Sequence, residues 1–215
     1  MIELDVLRGE MVRICRKLSA KGLIAAADGN VSCRAGENLL LITPSGRSKE
    51  AVGPPELLLV DFEGNALEGE GKPSSELRMH LLAYRRRPDV NAVVHAHPSM
   101  LTALTLAGLP FQADALPEVW LTIGPVPTAP YATPCTAEVP ESIMPFIDRH
   151  RAILLERHGS ITLGKDLDEA YMRLEKLEHA AHSLFYAHLL RGRLPEPLPA
   201  AALTKLESLP GGKAN

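Results

Sequence analysis

Apolar residues recur every three or four positions in several segments of the chain, and this spacing predicts amphipathic helices. The first apolar stripe lies at the N-terminus and ends before Gly22; it consists of Leu4, Leu7, Met11, Ile14 and Leu18. Similar stripes predict helices over residues 74–87, with Ser74 as the N-cap, and over 167–184. Helices are also predicted over 98–108, where Pro98 occupies a tolerated first-turn position, and over 138–150. The last of these is expected to be the longest helix.

Shorter apolar runs bounded by turn residues predict β-strands. They lie at 30–34, 39–43, 57–61, 90–95, 152–155 and 160–163, and at least one more short strand is expected between 109 and 134. The first two form a hairpin around Gly36. Because hairpins are interspersed with helices and do not alternate strictly with them, the pattern favours an α/β domain with a largely antiparallel sheet. Helices are expected on both faces of this sheet.

The composition is that of a globular protein, with 215 residues, 46% hydrophobic and 23% charged. No repeat or linker divides the chain, so we expect one domain over residues 1–192. Residues 193–215 are rich in Pro, Ala and Gly, which predicts a C-terminal tail that is loosely packed or disordered.

Charge and cysteine usage exclude several classes of partner. The net charge of −3 provides no basic surface for nucleic acid or an acidic membrane. No apolar run is long enough to span a bilayer, and the acidic N-terminus is unlike a signal peptide. Three widely spaced cysteines, Cys15, Cys33 and Cys135, predict reduced thiols and a cytoplasmic location.

The tripeptide His95-Ala96-His97 ends one of the predicted strands. Residues i and i+2 of a strand point to the same side, so the two imidazoles project together. Such a pair repels when protonated, and a divalent cation between the rings, zinc above all, is the usual reason for it. The alternative is two unrelated histidines at a strand end, one exposed and one capping a helix.

A third metal ligand is needed, and His158 is the best candidate. It follows the strand 152–155 and precedes Gly159, a residue that permits close backbone approach. His179 and His182 share a helix face and form a competing pair, although a solvated helix face is the preferred interpretation. Three histidines leave an open position on zinc, which is typical of a catalytic site.

The segment Pro73-Ser74-Ser75-Glu76 adds two kinds of group. Serine hydroxyls and backbone N–H groups at a helix N-terminus can hold a phosphate monoester. Glu76 is either a reactive carboxylate or a helix-capping residue. The turns Gly29-Asn30 and Thr43-Pro44-Ser45-Gly46 offer further hydrogen-bond donors, but no glycine pattern of a dinucleotide or P-loop site is present.

These motifs occur in the order seen in the class II aldolase/adducin family. They are Gly29-Asn30-Val31-Ser32, Thr43-Pro44-Ser45-Gly46, Pro73-Ser74-Ser75-Glu76, His95-Ala96-His97-Pro98, Ala129-Pro130-Tyr131 and His158-Gly159. The resemblance extends from about residue 5 to about residue 190. Within the family, the chain most resembles the branch that contains the L-fuculose-1-phosphate aldolases.

The resemblance implies a zinc-dependent cleavage of a ketose 1-phosphate to dihydroxyacetone phosphate and an aldehyde. It implies that His95, His97 and His158 hold Zn²⁺, and that Glu76 is both a ligand of the free metal and the catalytic acid/base. The implied phosphate-binding residues are Asn30, Ser45, Gly46, Ser74 and Ser75. The family fold is a three-layer α/β/α domain, and the enzymes are commonly homotetramers with active sites near a subunit interface.

The chain departs from that branch on the aldehyde side of the expected site. The branch carries one tyrosine in the loop corresponding to 109–124 and another near the C-terminus, whereas here neither this loop nor the tail beyond Tyr186 has one. Glu118 or Asp114 is a candidate replacement for proton transfer; the alternative is an ordinary surface carboxylate. A 5-deoxyribulose 1-phosphate-type sugar is therefore as well supported a substrate as L-fuculose 1-phosphate.

Four other functions stay open within the resemblance. Sugar-phosphate epimerases of the family carry Asp where Glu76 stands, and its decarboxylases often carry Lys where Ser75 stands, so Pro-Ser-Ser-Glu favours the aldolase. Methylthioribulose-1-phosphate dehydratases share the metal-binding histidines. The alternative from another class is a non-catalytic binding module like the adducin heads, which lack an intact metal site.

Overall fold

An eight-stranded β-sheet runs through the centre of the protein, as seen in a computed structural model that describes residues 4–209. The strands are β1 (Asn30–Gly36), β2 (Leu39–Ile42), β3 (Leu58–Asp61), β4 (Ala66–Glu68), β5 (Ala92–Ala96), β6 (Thr128–Ala129), β7 (Ala152–Leu155) and β8 (Gly159–Gly164). The helices are α1 (Leu4–Ala20), α2 (Leu77–Arg86), α3 (Ser99–Leu106), α4 (Pro117–Thr122), α5 (Glu138–Ile147), α6 (Leu167–Arg191) and α7 (Ala200–Glu207).

The strand order is β4-β3-β2-β1-β5-β8-β7-β6. Every neighbouring pair is antiparallel except β6 and β7, which are parallel. The prediction of an α/β domain with a largely antiparallel sheet is therefore confirmed. In the centre of the sheet, Asn30 of β1 lies opposite His95 of β5, and Ala96 of β5 lies opposite Ser160 of β8.

Two hydrophobic cores cover the two faces of the sheet and create three layers. Val94 joins the core beneath α1, α3 and α6, whereas its neighbour Val93 joins the core beneath α2 and α5. Successive side chains of a strand point to opposite faces, and both faces are covered, so the central strands are apolar throughout. By the same alternation, Asn30, Ser32 and His95 face α2.

Several local predictions differ from the structure. Helix α2 begins at Leu77 and not directly after Ser74. Ser74 nevertheless makes the bond of an N-cap residue, because its hydroxyl oxygen accepts a hydrogen bond from the Glu76 N–H (3.3 Å). Glu76 thus occupies the N-cap position itself, without a side-chain capping bond. The expected short strand in 109–134 is β6, but β4 and α4 were not predicted.

The C-terminal segment contains a helix that composition did not indicate. Helix α7 lies against α4, and the Trp120 indole N–H donates to Glu207 Oε1 (3.2 Å). The domain boundary at residue 192 stays a prediction, and residues 210–215 of the predicted tail lie outside the described residues. Within residues 4–209, no helix has the length and apolar character that crossing a membrane requires.

Candidate metal centre and adjoining cavity

Three histidines and one carboxylate converge at one end of the central strands. They are Glu76, His95, His97 and His158, and their potential ligand atoms all lie within 4.8 Å of one another. His95 belongs to β5 and His97 follows that strand directly, while His158 lies in the turn between β7 and β8. Glu76 immediately precedes α2. Segments far apart in sequence therefore meet at one point.

Two glycines allow these backbones to approach so closely. A Cβ atom on Gly159 would lie 2.3 Å from the Ala96 carbonyl oxygen and 2.8 Å from Cδ2 of His97. Gly29 has a positive φ of 70°, and a Cβ there would lie 2.7 Å from Ile24 Cγ2 and 3.0 Å from the His95 carbonyl oxygen. Only glycine fits either position without displacing backbone that positions a histidine.

The interatomic distances suit a small cation. His95 Nε2 lies 3.0 Å from Glu76 Oε2 and 2.9 Å from His97 Nε2, and His158 Nε2 lies 3.4 Å from Glu76 Oε1. Ligand atoms of a tetrahedral zinc ion, each about 2.0–2.1 Å from the metal, are about 3.3 Å apart. His95 Nδ1 donates to the Ser160 carbonyl (2.9 Å), so its Nε2 presents a lone pair to the cluster.

Protonation states at the cluster also fit a metal site. Burial lowers the pKa of both His97 and His158 to about 4, with a further lowering by His95, so both rings are neutral at pH 7. Burial raises the pKa of Glu76, but interactions with His95, Asn30 and His158 outweigh it and hold that pKa well below its usual range. Glu76 Oε1 is buried without a hydrogen-bond partner. A divalent cation would satisfy this orphaned oxygen.

A buried chain of hydrogen bonds supports Glu76 from behind. The Asn30 amide donates to Glu76 Oε2 (2.9 Å), and because an ionised carboxylate only accepts, the Asn30 oxygen faces His80. His80 Nε2–H therefore donates to Asn30, and His80 Nδ1 accepts from the Ser32 hydroxyl (2.6 Å). Tyr84 in turn donates to Ser32 (2.8 Å). The chain fixes the Asn30 amide with its N–H towards the carboxylate.

Beside the cluster lies a cavity of about 360 Å³. All five residues that the resemblance implied for phosphate line it: Asn30, Ser45, Gly46, Ser74 and Ser75. The two serine loops are tied together by a backbone hydrogen bond from Ser45 N–H to the Lys72 carbonyl (2.9 Å). Serine and asparagine residues thus line the cavity next to Glu76.

Other sequence candidates lie elsewhere in this chain. Glu118 is exposed on α4, and neither it nor Asp114 lines the cavity. His182 of the competing pair contacts Glu178 at 3.4 Å, and neither His179 nor His182 belongs to the cluster. The predicted role of Glu118 remains a prediction.

Sequence reasoning missed the residues that support the cluster, namely Ser32, His80 and Tyr84, and Asp28, whose Oδ2 lies 3.7 Å from His97 Nδ1. A signal for three of them was present. Positions 76, 80 and 84 recur at the four-residue spacing of one helix face, and positions 30 and 32 share one strand face. Nothing in the sequence showed that these two polar faces pack against each other.

Comparison with known proteins agrees with this architecture. Residues 9–185 match the class II aldolase and adducin N-terminal domain family. The 3-oxo-tetronate 4-phosphate decarboxylase of Pectobacterium atrosepticum is 36% identical over 83% of this chain and 83% of its own. The 5-deoxy-D-ribulose 1-phosphate aldolase of Bacillus thuringiensis serovar kurstaki is 33% identical over 93% of this chain and 92% of its own.

A solved structure shows the same likeness. L-fuculose-1-phosphate aldolase from Thermus thermophilus superimposes with a TM-score of 0.78 at 34% identity, covering 88% of this chain and 98% of that one. Fold and site together define a metal-dependent lyase, so the prediction of an enzyme is confirmed. The chain belongs to the class II aldolase and adducin family.

Proposed function

We propose that this enzyme is a zinc-dependent aldolase that reversibly cleaves a ketose 1-phosphate to dihydroxyacetone phosphate and an aldehyde. The sugar is L-fuculose 1-phosphate or a 5-deoxyribulose 1-phosphate-like compound. The observation that carries the proposal is Glu76, whose unpartnered Oε1 lies among three imidazoles beside a cavity lined by hydroxyl groups. The names of two relatives support the substrate class.

In this proposal the three histidines, with Glu76 in the free enzyme, would hold Zn²⁺. When bound, the ion supplies Lewis acidity towards the C2 carbonyl and C3 hydroxyl of the sugar. His95 is oriented for this role by its hydrogen bond to the Ser160 carbonyl (2.9 Å). The serine hydroxyls and loop amides would bind the phosphate and so position C3 of the sugar next to Glu76.

Glu76 would transfer the proton at carbon. In the cleavage direction a base on the aldehyde side, for which Glu118 is the candidate, would take the C4 hydroxyl proton and later return it through water to the C3 oxygen. The C3–C4 bond breaks, C4 leaves as the aldehyde carbonyl, and the electron pair of that bond passes to C3 to form the enediolate of dihydroxyacetone phosphate. Glu76, which would take up the proton of the C3 hydroxyl when the sugar binds, then donates it to carbon C3; in the synthetic direction it removes the proton from C3. The Asn30 amide, which contacts Glu76 Oε2 at 2.9 Å, keeps the carboxylate oriented for both directions.

The test is a comparison of three substrates with zinc-loaded enzyme. Dihydroxyacetone phosphate is incubated with lactaldehyde or with acetaldehyde, and 3-oxo-tetronate 4-phosphate is supplied separately. We expect a new ketose 1-phosphate from at least one aldehyde, identified by NMR. Release of CO₂ from the third compound without aldol product would favour a decarboxylase, the function named for one relative. Protein that binds no metal and converts none of the three would favour a binding module.

The proton transfer at the aldehyde oxygen depends, in this proposal, on the oligomeric state of the enzyme. Glu118 does not line the cavity of its own chain, so we propose that it reaches an active site only across a subunit boundary of a homotetramer. Light scattering in solution checks the assembly, and a monomeric, active enzyme would remove Glu118 from the mechanism.

Three free cysteines fit a reducing compartment, and we expect the enzyme to act in the cytoplasm.

A further inference from the structure

Lys49 is a buried cation beside the proposed phosphate loops. It follows the Thr43–Gly46 turn by three residues and is only 2% exposed. Its ammonium donates to the carbonyl oxygens of Ala27 (2.5 Å) and Arg47 (3.0 Å). A lysine has three N–H donors, so one remains after these two bonds are made.

This ammonium has no close counter-charge in the part of the chain that the structure describes. No carboxylate of residues 4–209 pairs with Lys49 within 4 Å, although Asp28 and Glu76 attract it from farther away. The exposed neighbour Arg47, by contrast, pairs with Glu56 at 3.0 Å. Burying a charge without a counter-ion is unfavourable, and an anion that binds next to it would relieve that cost.

The cavity offers such an anion a place. Lys49 lines it together with Ser45, Gly46, Ser74 and Ser75, and among the described lining residues it is the one lysine or arginine. A phosphate monoester carries nearly two negative charges at neutral pH, since its second pKa is about 6. Hydroxyl and amide donors supply hydrogen bonds but no net positive charge, whereas a lysine supplies both.

We propose that Lys49 is the charge-bearing residue of the phosphate subsite, holding the phosphate of the substrate through its third N–H. The proposal rests on the proposed function, because it takes the ligand of this cavity to be a phosphorylated sugar. It adds a residue from outside the serine and asparagine motifs. It also gives the two carbonyl contacts a purpose, since they hold the ammonium at the cavity wall.

The competing interpretation is purely structural. Through the same two carbonyl oxygens, Lys49 ties the loop before β1 to the loop after β2, and this alone would preserve the shape of the cavity. Lys49→Gln separates the two interpretations, because an amide NH₂ has two N–H donors for the carbonyls but carries no charge. Lys49→Arg retains the charge, and Arg47→Met is the matched control for loss of a neighbouring exposed cation.

The experiment measures binding of inorganic phosphate to the zinc-loaded protein by calorimetry, and then kcat/KM with dihydroxyacetone phosphate and with unphosphorylated dihydroxyacetone. For Lys49→Gln we expect phosphate affinity and kcat/KM for the phosphorylated substrate to fall about 10- to 100-fold, the usual weight of a charged hydrogen bond. Zinc content and kcat/KM for dihydroxyacetone should change less than about threefold. Arg47→Met should resemble the wild type.

Each remaining outcome bears on one proposal. Unchanged phosphate affinity in Lys49→Gln, or an equal loss for both dihydroxyacetone substrates, overturns the role of Lys49 and leaves the loop tether. If Lys49→Gln does not fold, Lys49→Arg decides: retained phosphate affinity supports the charge role, and lost affinity in a folded protein contradicts it. A wild-type protein that binds no phosphate contradicts the proposed function itself.

Discussion

At the scale of single residues, Glu76 is both buried and ionised, although burial by itself favours the neutral form of a carboxylate. It is a buried carboxylate, which burial alone would neutralise, yet its surroundings keep its pKa well below the usual range. One oxygen accepts from Asn30 and the other has no hydrogen-bond partner. This asymmetry leaves one oxygen free for a metal or a substrate proton while the other is held in place.

Replacement of Glu76 by Gln tests its proton transfer. The variant keeps the size of the side chain but cannot exchange a proton with carbon, so kcat for aldol cleavage should fall about 10²- to 10⁴-fold. Exchange of the hydroxymethyl protons of dihydroxyacetone phosphate with D₂O, followed by NMR, should slow equally. Phosphate affinity should stay unchanged. Exchange at the wild-type rate would mean that another residue is the base.

Glu118→Gln is the complementary variant. If Glu118 acts on the aldehyde side, cleavage should slow about 10²-fold or more while proton exchange into dihydroxyacetone phosphate continues at the wild-type rate. Proton exchange into dihydroxyacetone phosphate involves no aldehyde, so it does not require a residue that acts on the aldehyde oxygen. Normal cleavage in Glu118→Gln would identify this residue as an ordinary surface carboxylate.

His80 makes stability depend on pH. Burial lowers its pKa in the folded protein to about 3, with His95 lowering it further, whereas an unfolded histidine has a pKa of about 6.5. The unfolded state therefore takes up a proton that the folded state does not, and the free energy of unfolding falls as pH decreases below about 6.5. Between pH 7 and pH 5 this loss amounts to about 2 kcal/mol.

His80→Gln should remove that contribution. The amide retains one donor for Asn30 and one acceptor for Ser32, but it does not titrate. Urea unfolding of metal-free protein at pH 7 and pH 5 should therefore show a smaller difference in the variant, by about 2 kcal/mol. Equal pH dependence in the two proteins would show that His80 gains no proton on unfolding.

At the scale of elements, the site depends on how closely β5 and β8 approach. Gly159→Ala would place a methyl group 2.3 Å from the Ala96 carbonyl oxygen, which is backbone and cannot rotate away. The strands must separate, so we expect a loss of about 1–3 kcal/mol and weaker zinc binding, because His97 and His158 flank this contact. Thermal unfolding and zinc content measure the two effects.

Gly9→Ala is the matched control within the same fold. Gly9 lies inside α1, and a Cβ there would meet nothing within 4 Å. Alanine favours the helix over glycine by about 0.5–1 kcal/mol, so this variant should be more stable than the wild type and bind zinc normally. A Gly159→Ala protein as stable as the wild type would contradict the close-approach argument.

At the scale of the whole molecule, the metal would join segments that the cores already hold in place. Glu76, the end of β5 and the β7–β8 turn meet at the cluster, while two hydrophobic cores lie on either face of the sheet. Removing zinc with a chelator should therefore abolish activity and lower Tm, yet leave the circular dichroism spectrum folded. Added Zn²⁺ should restore both. If the protein unfolded on chelation, the expectation that the two hydrophobic cores maintain the fold without the metal would be wrong.

Much of the architecture could be predicted from the sequence because its signals are local. Apolar spacing located α1, α2 and α6, α3 and α5 were also predicted as helices, and short apolar runs located six strands, with β6 expected only somewhere within residues 109–134. The missed elements carry weak local signals: β4 is an exposed three-residue edge strand, and α4 and α7 are short. Ser74 makes the side-chain bond of an N-cap, but residues 75 and 76 form a turn, so α2 begins at Leu77, later than predicted.

Part of the candidate site could likewise be predicted from the sequence, and the rest is seen only in the tertiary structure. The sequence by itself predicted the residues that converge at the cluster, because strand and turn geometry singled out His95, His97 and His158 and the family resemblance added Glu76. Tertiary structure alone decided that His80 and Tyr84 support Glu76 through Ser32 and Asn30, and that no carboxylate of residues 4–209 pairs with Lys49 within 4 Å. The hydrogen bonds among these residues join positions 46 to 52 residues apart, and no local periodicity encodes which distant polar groups will meet.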